Sequence, residues 1–170
     1  MSETLPLVVV LCTGNAARSV MAGAMLEAAG VPARIVTAGT HVVENQPMSI
    51  RTRQALVAAG ATVPSHRSRQ LSDDHVADAG LVVAMAAEHV RYIRRRHPEA
   101  ADRTATIVWL AAHLPPGPSP LAARVAALGL EALDPDAQGD VEDPAGGDDA
   151  DYIACAMALR DLVGALLARL

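Results

Sequence analysis

The sequence has no phenylalanine, and its aromatic residues are Trp109, Tyr92 and Tyr152 alone. An aromatic core is excluded; Ala, Val and Leu must fill the interior instead. Cysteine is equally scarce. Cys12 and Cys155 lie far apart in sequence, which argues against a structural disulfide in a reducing compartment. Two cysteines cannot complete an all-cysteine zinc site, and neither HExxH nor CxxC spacing occurs. No zinc site of these kinds is expected. Excess positive charge is missing too. The formal net charge is −5 and the sequence pI about 5.6, so no strip of the molecule is basic enough to track a nucleic-acid backbone. Arg91, Arg94, Arg95 and Arg96 cluster locally, and such a run reads as a solvated helix end. Long apolar runs are also lacking. The stretch MSETLPLVVVLCTGN has a short apolar run with no basic residues before it. It reads as neither signal peptide nor membrane span, and the expected location is the cytoplasm.

What remains is a globular composition. The chain has 170 residues, 51% of them hydrophobic and 19% charged, which suits one domain, residues 1–170, around one core. Apolar runs alternate with helical patterns. Residues 5–11, 34–38, 79–85 and 104–110 read as buried strands. Residues 19–29, 48–59, 86–96, 121–130 and 150–170 read as helices, with Gly30 and Gly60 placed as C-terminal stops. Buried strands alternating with helices predict a parallel sheet covered on both faces. Residues 115–120 and 134–149 are linker-like but too short to separate domains.

The order strand, loop, helix places Cys12-Thr13-Gly14-Asn15-Ala16-Ala17-Arg18-Ser19 at the carboxyl edge of the first strand. Ligands bind at that edge in open α/β sheets. The following helix turns its free N–H groups and positive end into the loop. Gly14 is expected to let the backbone turn inward without a Cβ clash, and successive amides then form an anion nest. Cys12 opens the loop and Arg18 closes it after five residues. A thiol in that setting is favoured as the thiolate, its reactive form, while Arg18 offers a planar fork to phosphate oxygens. Ser19 is placed to donate to the sulfur, and Asn15 to take a left-handed conformation and brace the loop.

This loop resembles the C-x-G-N-x-C-R-S signature of low-molecular-weight protein tyrosine phosphatases. Thr37-Ala38-Gly39-Thr40 is similar to the family's S-A-G-T, and Ser65–Leu71 to its S-H-x-x-R-Q segment. Leu81–Met85 resembles its strand ending in Met-Asp, and Asp140-Val141-Glu142-Asp143-Pro144 its late D-V-x-D-P loop. The resemblance implies a single three-layer α/β domain with a four-stranded parallel sheet in the order 2-1-3-4. It also implies catalysis by Cys12, Arg18 and Asp143. Cys12 attacks phosphorus, Arg18 and the loop amides hold the equatorial oxygens, and Asp143 serves as general acid and then base. The metal and cofactor complement that the resemblance implies is none. Thr13, Gly14, Asn15, Ala16, Ala17 and Ser19 bind the phosphate, with His41 at the pocket mouth. His66 reads as a structural hydrogen-bonding residue.

Four departures stand out. Ala17 replaces the family's second loop cysteine, Val20 replaces the proline after R-S, and Ala86 stands where an Asp follows Met. Residues 41–44 and 145–147 carry no aromatic wall for a phenol ring. The expected partner is a phosphorylated protein or a small phosphomonoester such as a sugar phosphate, and the oligomeric state is left open. Arsenate reduction with an external thiol is one competing reading, since Cys155 falls within an apolar helix pattern. A non-catalytic phosphate-binding module is the other.

Overall fold

The computed structural model describes residues 4–170; Met1–Glu3, the start of the N-terminal stretch read above, lie outside them. Leu7–Cys12 forms β1, a fully buried run of Val and Leu. It pairs in parallel with β2 (Arg34–Gly39) on one side and β3 (Ala79–Ala84) on the other. β4 (Thr104–Thr106) adds to β3, so the spatial order is β2-β1-β3-β4, the expected 2-1-3-4. Alternate residues of β1 feed two cores. Val8, Val10 and Cys12 face one that includes α1 (Arg18–Ala28), α2 (Ile50–Ala58), α5 (Ile107–His113), α6 (Leu121–Ala126) and α7 (Asp149–Leu167). Leu7, Val9 and Leu11 face the other, closed by α3 (Asp73–Asp78) and α4 (Ala87–Arg96). Two apolar faces on one strand explain its uninterrupted hydrophobicity.

Three expectations need correction. The predicted strand over 104–110 ends at Thr106, whose hydroxyl accepts from Trp109 N at 3.2 Å and starts α5. A β-branched run reads alike as strand or buried helix, and the cap decides. The predicted helix over 121–130 stops at Ala126, with Gly129 left-handed at φ 60° before a 3-10 turn. The arginine cluster is not simply solvated. Arg94 donates to the carbonyls of Leu130 (3.0 Å) and Leu133 (2.7 Å), and Arg91 pairs with Asp136. These contacts tie α4 to the segment leading into residues 140–147. The sequence reading had no place for α3, which a Ser72–His75 capping box begins.

Candidate active site

Cys12 ends β1, directly opposite Gly39 of β2. The loop after it is clamped from β2 outward: Thr40 N donates to Cys12 O at 3.0 Å, and His41 N to Thr13 O at 2.9 Å. Gly39 is what permits this approach. A Cβ there would lie 2.4 Å from Thr13 O and 2.9 Å from Asn15 N. At Gly14, by contrast, a Cβ would meet only Ala16 Cβ at 3.9 Å. The steric need for glycine assigned to Gly14 therefore falls on Gly39.

Asn15 carries the left-handed turn, with φ 50°, and is fully buried. Its side chain accepts from Arg69 N at 3.0 Å and donates to Ser19 Oγ at 3.0 Å. His66 Nε2 lies 2.9 Å from the Asn15 carbonyl, to which it donates. Burial, with Arg69 nearby, lowers the His66 pKa. Thr52 Oγ1, in the first turn of α2, donates to Ala16 O at 3.0 Å. Ser19 Oγ is 3.0 Å from Cys12 Sγ. Because Ser19 Oγ already accepts the Asn15 amide, its own hydrogen is free to point at the sulfur. α1 begins behind Ala17, which has no side chain able to cap it. Among the described residues, the backbone N–H groups of Gly14 to Arg18 find no protein acceptor. They remain open to an anion. Ala16 is exposed and Ala17 buried.

Arg18 is buried, with its guanidinium spread over three acceptors. Nη1 donates to Val141 O at 3.2 Å; Nη2 donates to Asp143 Oδ2 at 3.1 Å and more weakly to Thr13 Oγ1 at 3.5 Å. Asp143 is half-exposed, and its other oxygen accepts Ala145 N at 3.1 Å. The structure thus brings Arg18 and Asp143 together across 125 positions of sequence. Val141 N donates to Met85 O at 2.7 Å, rooting the acid loop on β3.

Ala86, at the N-terminus of α4, provides no side-chain cap. Asp140 Oδ1 accepts Ala87 N at 2.7 Å, so a carboxylate still sits at the start of α4. His41 is exposed, its Nδ1 3.2 Å from Thr40 Oγ1. The flanking loops hold no aromatic, yet Tyr92 of α4 packs edge-on against His41 at 5.9 Å.

Two site neighbours escaped the sequence reading of roles: Glu88 and His89, in the first turn of α4. Thr13 Oγ1 is 3.3 Å from Glu88 Oε1 and 2.9 Å from His89 Nε2. Their place after β3, at the same sheet edge as Cys12, is the signal that finds them. Cys155 is buried, and burial pushes its thiol up to about 11. It lines a groove of about 380 Å³ between α7 and residues 140–147. Among the described residues no cluster of His, Cys, Asp and Glu has the makings of a metal site, and no helix is long and apolar enough to cross a membrane.

The family model for low molecular weight phosphotyrosine protein phosphatase matches residues 7–114. A protein-arginine-phosphatase from Geobacillus stearothermophilus is 38% identical over 98 residues, covering 57% of this chain and 66% of that protein. A probable low molecular weight protein-tyrosine-phosphatase EpsP from Ralstonia solanacearum is 31% identical over 91 residues, covering 54% and 63%. The chain thus spans just under two thirds of the length of these relatives. Similarity in structure runs further. The YwlE arginine phosphatase from Geobacillus stearothermophilus superposes with a TM-score of 0.77 at 30% identity, covering 95% of this chain and 90% of that one. A low molecular weight protein tyrosine phosphatase from T. tengcongensis superposes with a TM-score of 0.76 at 28% identity, covering 97% and 99%. With the strand order, the loop and this match in agreement, the chain belongs to the low molecular weight phosphotyrosine protein phosphatase family.

Proposed function

We propose that this protein is a cysteine-dependent phosphatase in which Cys12, Arg18 and Asp143 carry the reaction. The observation that carries this reading is the joint geometry of Cys12, Ser19, Arg18 and Asp143: a sulfur facing a hydroxyl proton, and an arginine bridging to a carboxyl group. In the first step the Cys12 thiolate attacks phosphorus and the bond to the leaving group breaks. Asp143, protonated, gives its proton to the departing atom. In the second step water attacks the cysteinyl-phosphate, Asp143 takes up a proton from it, and Cys12 leaves as thiolate with release of inorganic phosphate. Arg18 and the open amides of residues 14–18 hold the equatorial oxygens as charge shifts. The arriving phosphate competes with Asp143 for Arg18, which frees the acid.

The substrate we infer is a phosphorylated protein side chain, with phosphoarginine favoured. Glu88 and Asp143 are exposed acids close to the buried Arg18, the first through Thr13 and the second directly, and such a rim complements a cationic guanidinium leaving group. The likeness, in sequence and in structure, to an arginine phosphatase from Geobacillus stearothermophilus points the same way. Phosphotyrosine is the second reading, supported by Tyr92 against His41 and by the relatives named as tyrosine phosphatases. Arsenate reduction is less well supported: the buried Cys155 thiol, pushed up to about 11, makes a poor resolving group, so an external thiol would be needed, and Asp143 beside Arg18 is the leaving-group acid that hydrolysis uses.

The test compares kcat/KM on matched peptides carrying phosphoarginine or phosphotyrosine, alongside p-nitrophenyl phosphate and sugar phosphates. Preference for phosphoarginine is expected. Preference for the aryl ester transfers the assignment to phosphotyrosine. Undiminished turnover by Cys12→Ser overturns the mechanism itself.

A further inference from the structure

His89 is a histidine that the reaction above does not use. It lies in the first turn of α4, 1% exposed, and its Nδ1 is buried without a hydrogen-bond partner among the described residues. Its Nε2 meets Thr13 Oγ1 at 2.9 Å, in the phosphate loop itself.

Counting donors fixes the direction of these bonds. Three groups crowd Thr13 Oγ1: Arg18 Nη2, Glu88 Oε1 and His89 Nε2. Arg18 only donates and ionised Glu88 only accepts. If the Thr13 hydroxyl gave its hydrogen to His89, the imidazole proton would sit on Nδ1 as a buried N–H with no acceptor. If the hydroxyl gives it to Glu88, His89 donates through Nε2 and leaves only a bare lone pair. An unpaired donor is the rarer and less tolerated of the two. The sequence of donation is therefore His89 to Thr13 to Glu88, with Arg18 also donating to Thr13. The imidazole is neutral here: burial first, then the charge of Arg18, push its pKa down to about 4.

The consequence concerns Arg18. At rest its guanidinium has three acceptors, Val141 O, Asp143 and Thr13 Oγ1. Asp143 must release it in order to protonate a leaving group. Val141 O and Thr13 Oγ1 then remain. We propose that His89 is a positioning residue: with Glu88 it fixes the Thr13 hydroxyl as the acceptor that keeps the Arg18 guanidinium aligned after Asp143 departs. This rests on the phosphatase reading for its effect on turnover, but its effect on anion binding does not.

The experiment uses the shapes of the amides. The Gln amide nitrogen reaches the position of imidazole Nε2, whereas that of Asn reaches only Nδ1. His89→Gln, His89→Asn and His89→Leu are compared by p-nitrophenyl phosphate kinetics, by inorganic phosphate binding and by thermal denaturation. Expected is kcat/KM within about threefold of wild type for Gln, and a loss of about tenfold for Asn and Leu, the scale of one charge-assisted hydrogen bond. Most of that loss falls in kcat, and phosphate binding weakens in the same order of variants. In a Thr13→Val background, His89→Leu adds less than about twofold, because the hydroxyl it acts through is gone.

Equal rescue by Asn and Gln overturns the proposal, as does a Leu variant with unchanged kinetics, or full additivity with Thr13→Val. If His89→Leu does not fold, His89→Asn and the Thr13→Val pairing with His89→Gln decide. If wild type hydrolyses no ester yet phosphate binding still ranks Gln above Asn and Leu, the proposed activity fails and the positioning role stands.

Discussion

Two loops meet at Arg18, and they are held in opposite ways. Residues 12–19 are mostly buried. Side chains from several elements fix them: Asn15 and Ser19 from within, Thr52 from α2, His66 from the segment before α3, and His89 from α4. Residues 140–147 are mostly exposed and are anchored at their root, through Val141 to Met85 and Asp140 to Ala87. Beyond that root Asp143 contacts Arg18 and its own neighbour Ala145. The first loop must present one fixed cradle to a phosphate group that is always the same. The second must give up a contact, pass a proton and meet a variable leaving group. Rigidity and exposure are distributed accordingly.

The contrast is open to attack in order of expected effect. Cys12→Ser should lower p-nitrophenyl phosphate turnover by more than about 10³-fold while keeping phosphate affinity within a few-fold. Loss of binding as well would mean that the cradle depends on the sulfur. Asp143→Asn should cost about 10²- to 10³-fold in kcat for leaving groups of high pKa, and much less for p-nitrophenol. An equal loss on both would remove Asp143 from proton transfer.

Acid should weaken the fold through His89. The folded state keeps it neutral with a pKa of about 4, against 6.5 unfolded. The unfolded chain therefore binds the proton first. Stability is full above pH 6.5, falls as pH drops toward about 4, and loses nothing more from this group below that. The loss is about 3 kcal/mol, and the lowered pKa values of His66 and His75 act in the same direction. Urea midpoints at pH 7 and pH 4.5 measure it; His89→Gln should flatten the difference. Gly39→Ala should destabilise by about 2 kcal/mol, through the clash with Thr13 O, and depress turnover with it. Gly14→Ala is the control with little change in stability. Smallest of all, Asp143→Asn should shift stability by under about 0.5 kcal/mol, since its pair with Arg18 is half solvated.

Much of this was legible in the sequence. The run Leu7–Cys12, the loop and the helix beginning at Arg18 are local signals, and the alternation of strands and helices settles the layers. The D-V-x-D-P motif located Asp143 without any view of Arg18. What escaped was set by tertiary packing. The end of β4 depends on Thr106 capping α5, and the role of Gly39 on a loop 24 residues or more earlier in the chain crossing above it. The contact of Ala87 N with Asp140 at the start of α4 is a long-range feature of the same kind. His89 is marked in the sequence only by its place just after β3; its burial beside Thr13 is a matter of tertiary packing.

The pairing of Arg18 with Asp143 across 125 positions also bears on synthesis. β1 precedes its partners in the chain and occupies the interior of the sheet, and those partners lie at residues 34–39 and 79–84. α7, at residues 149–167, then packs on α1 and α2. Such non-local pairing slows folding, because chain closure precedes the contacts that reward it. A nascent chain carries the nucleophile long before it carries the acid. Enzymatic activity should therefore be the last property to appear on refolding, trailing the recovery of helix signal, because it needs the loop of Cys12 and Arg18 brought against Asp143.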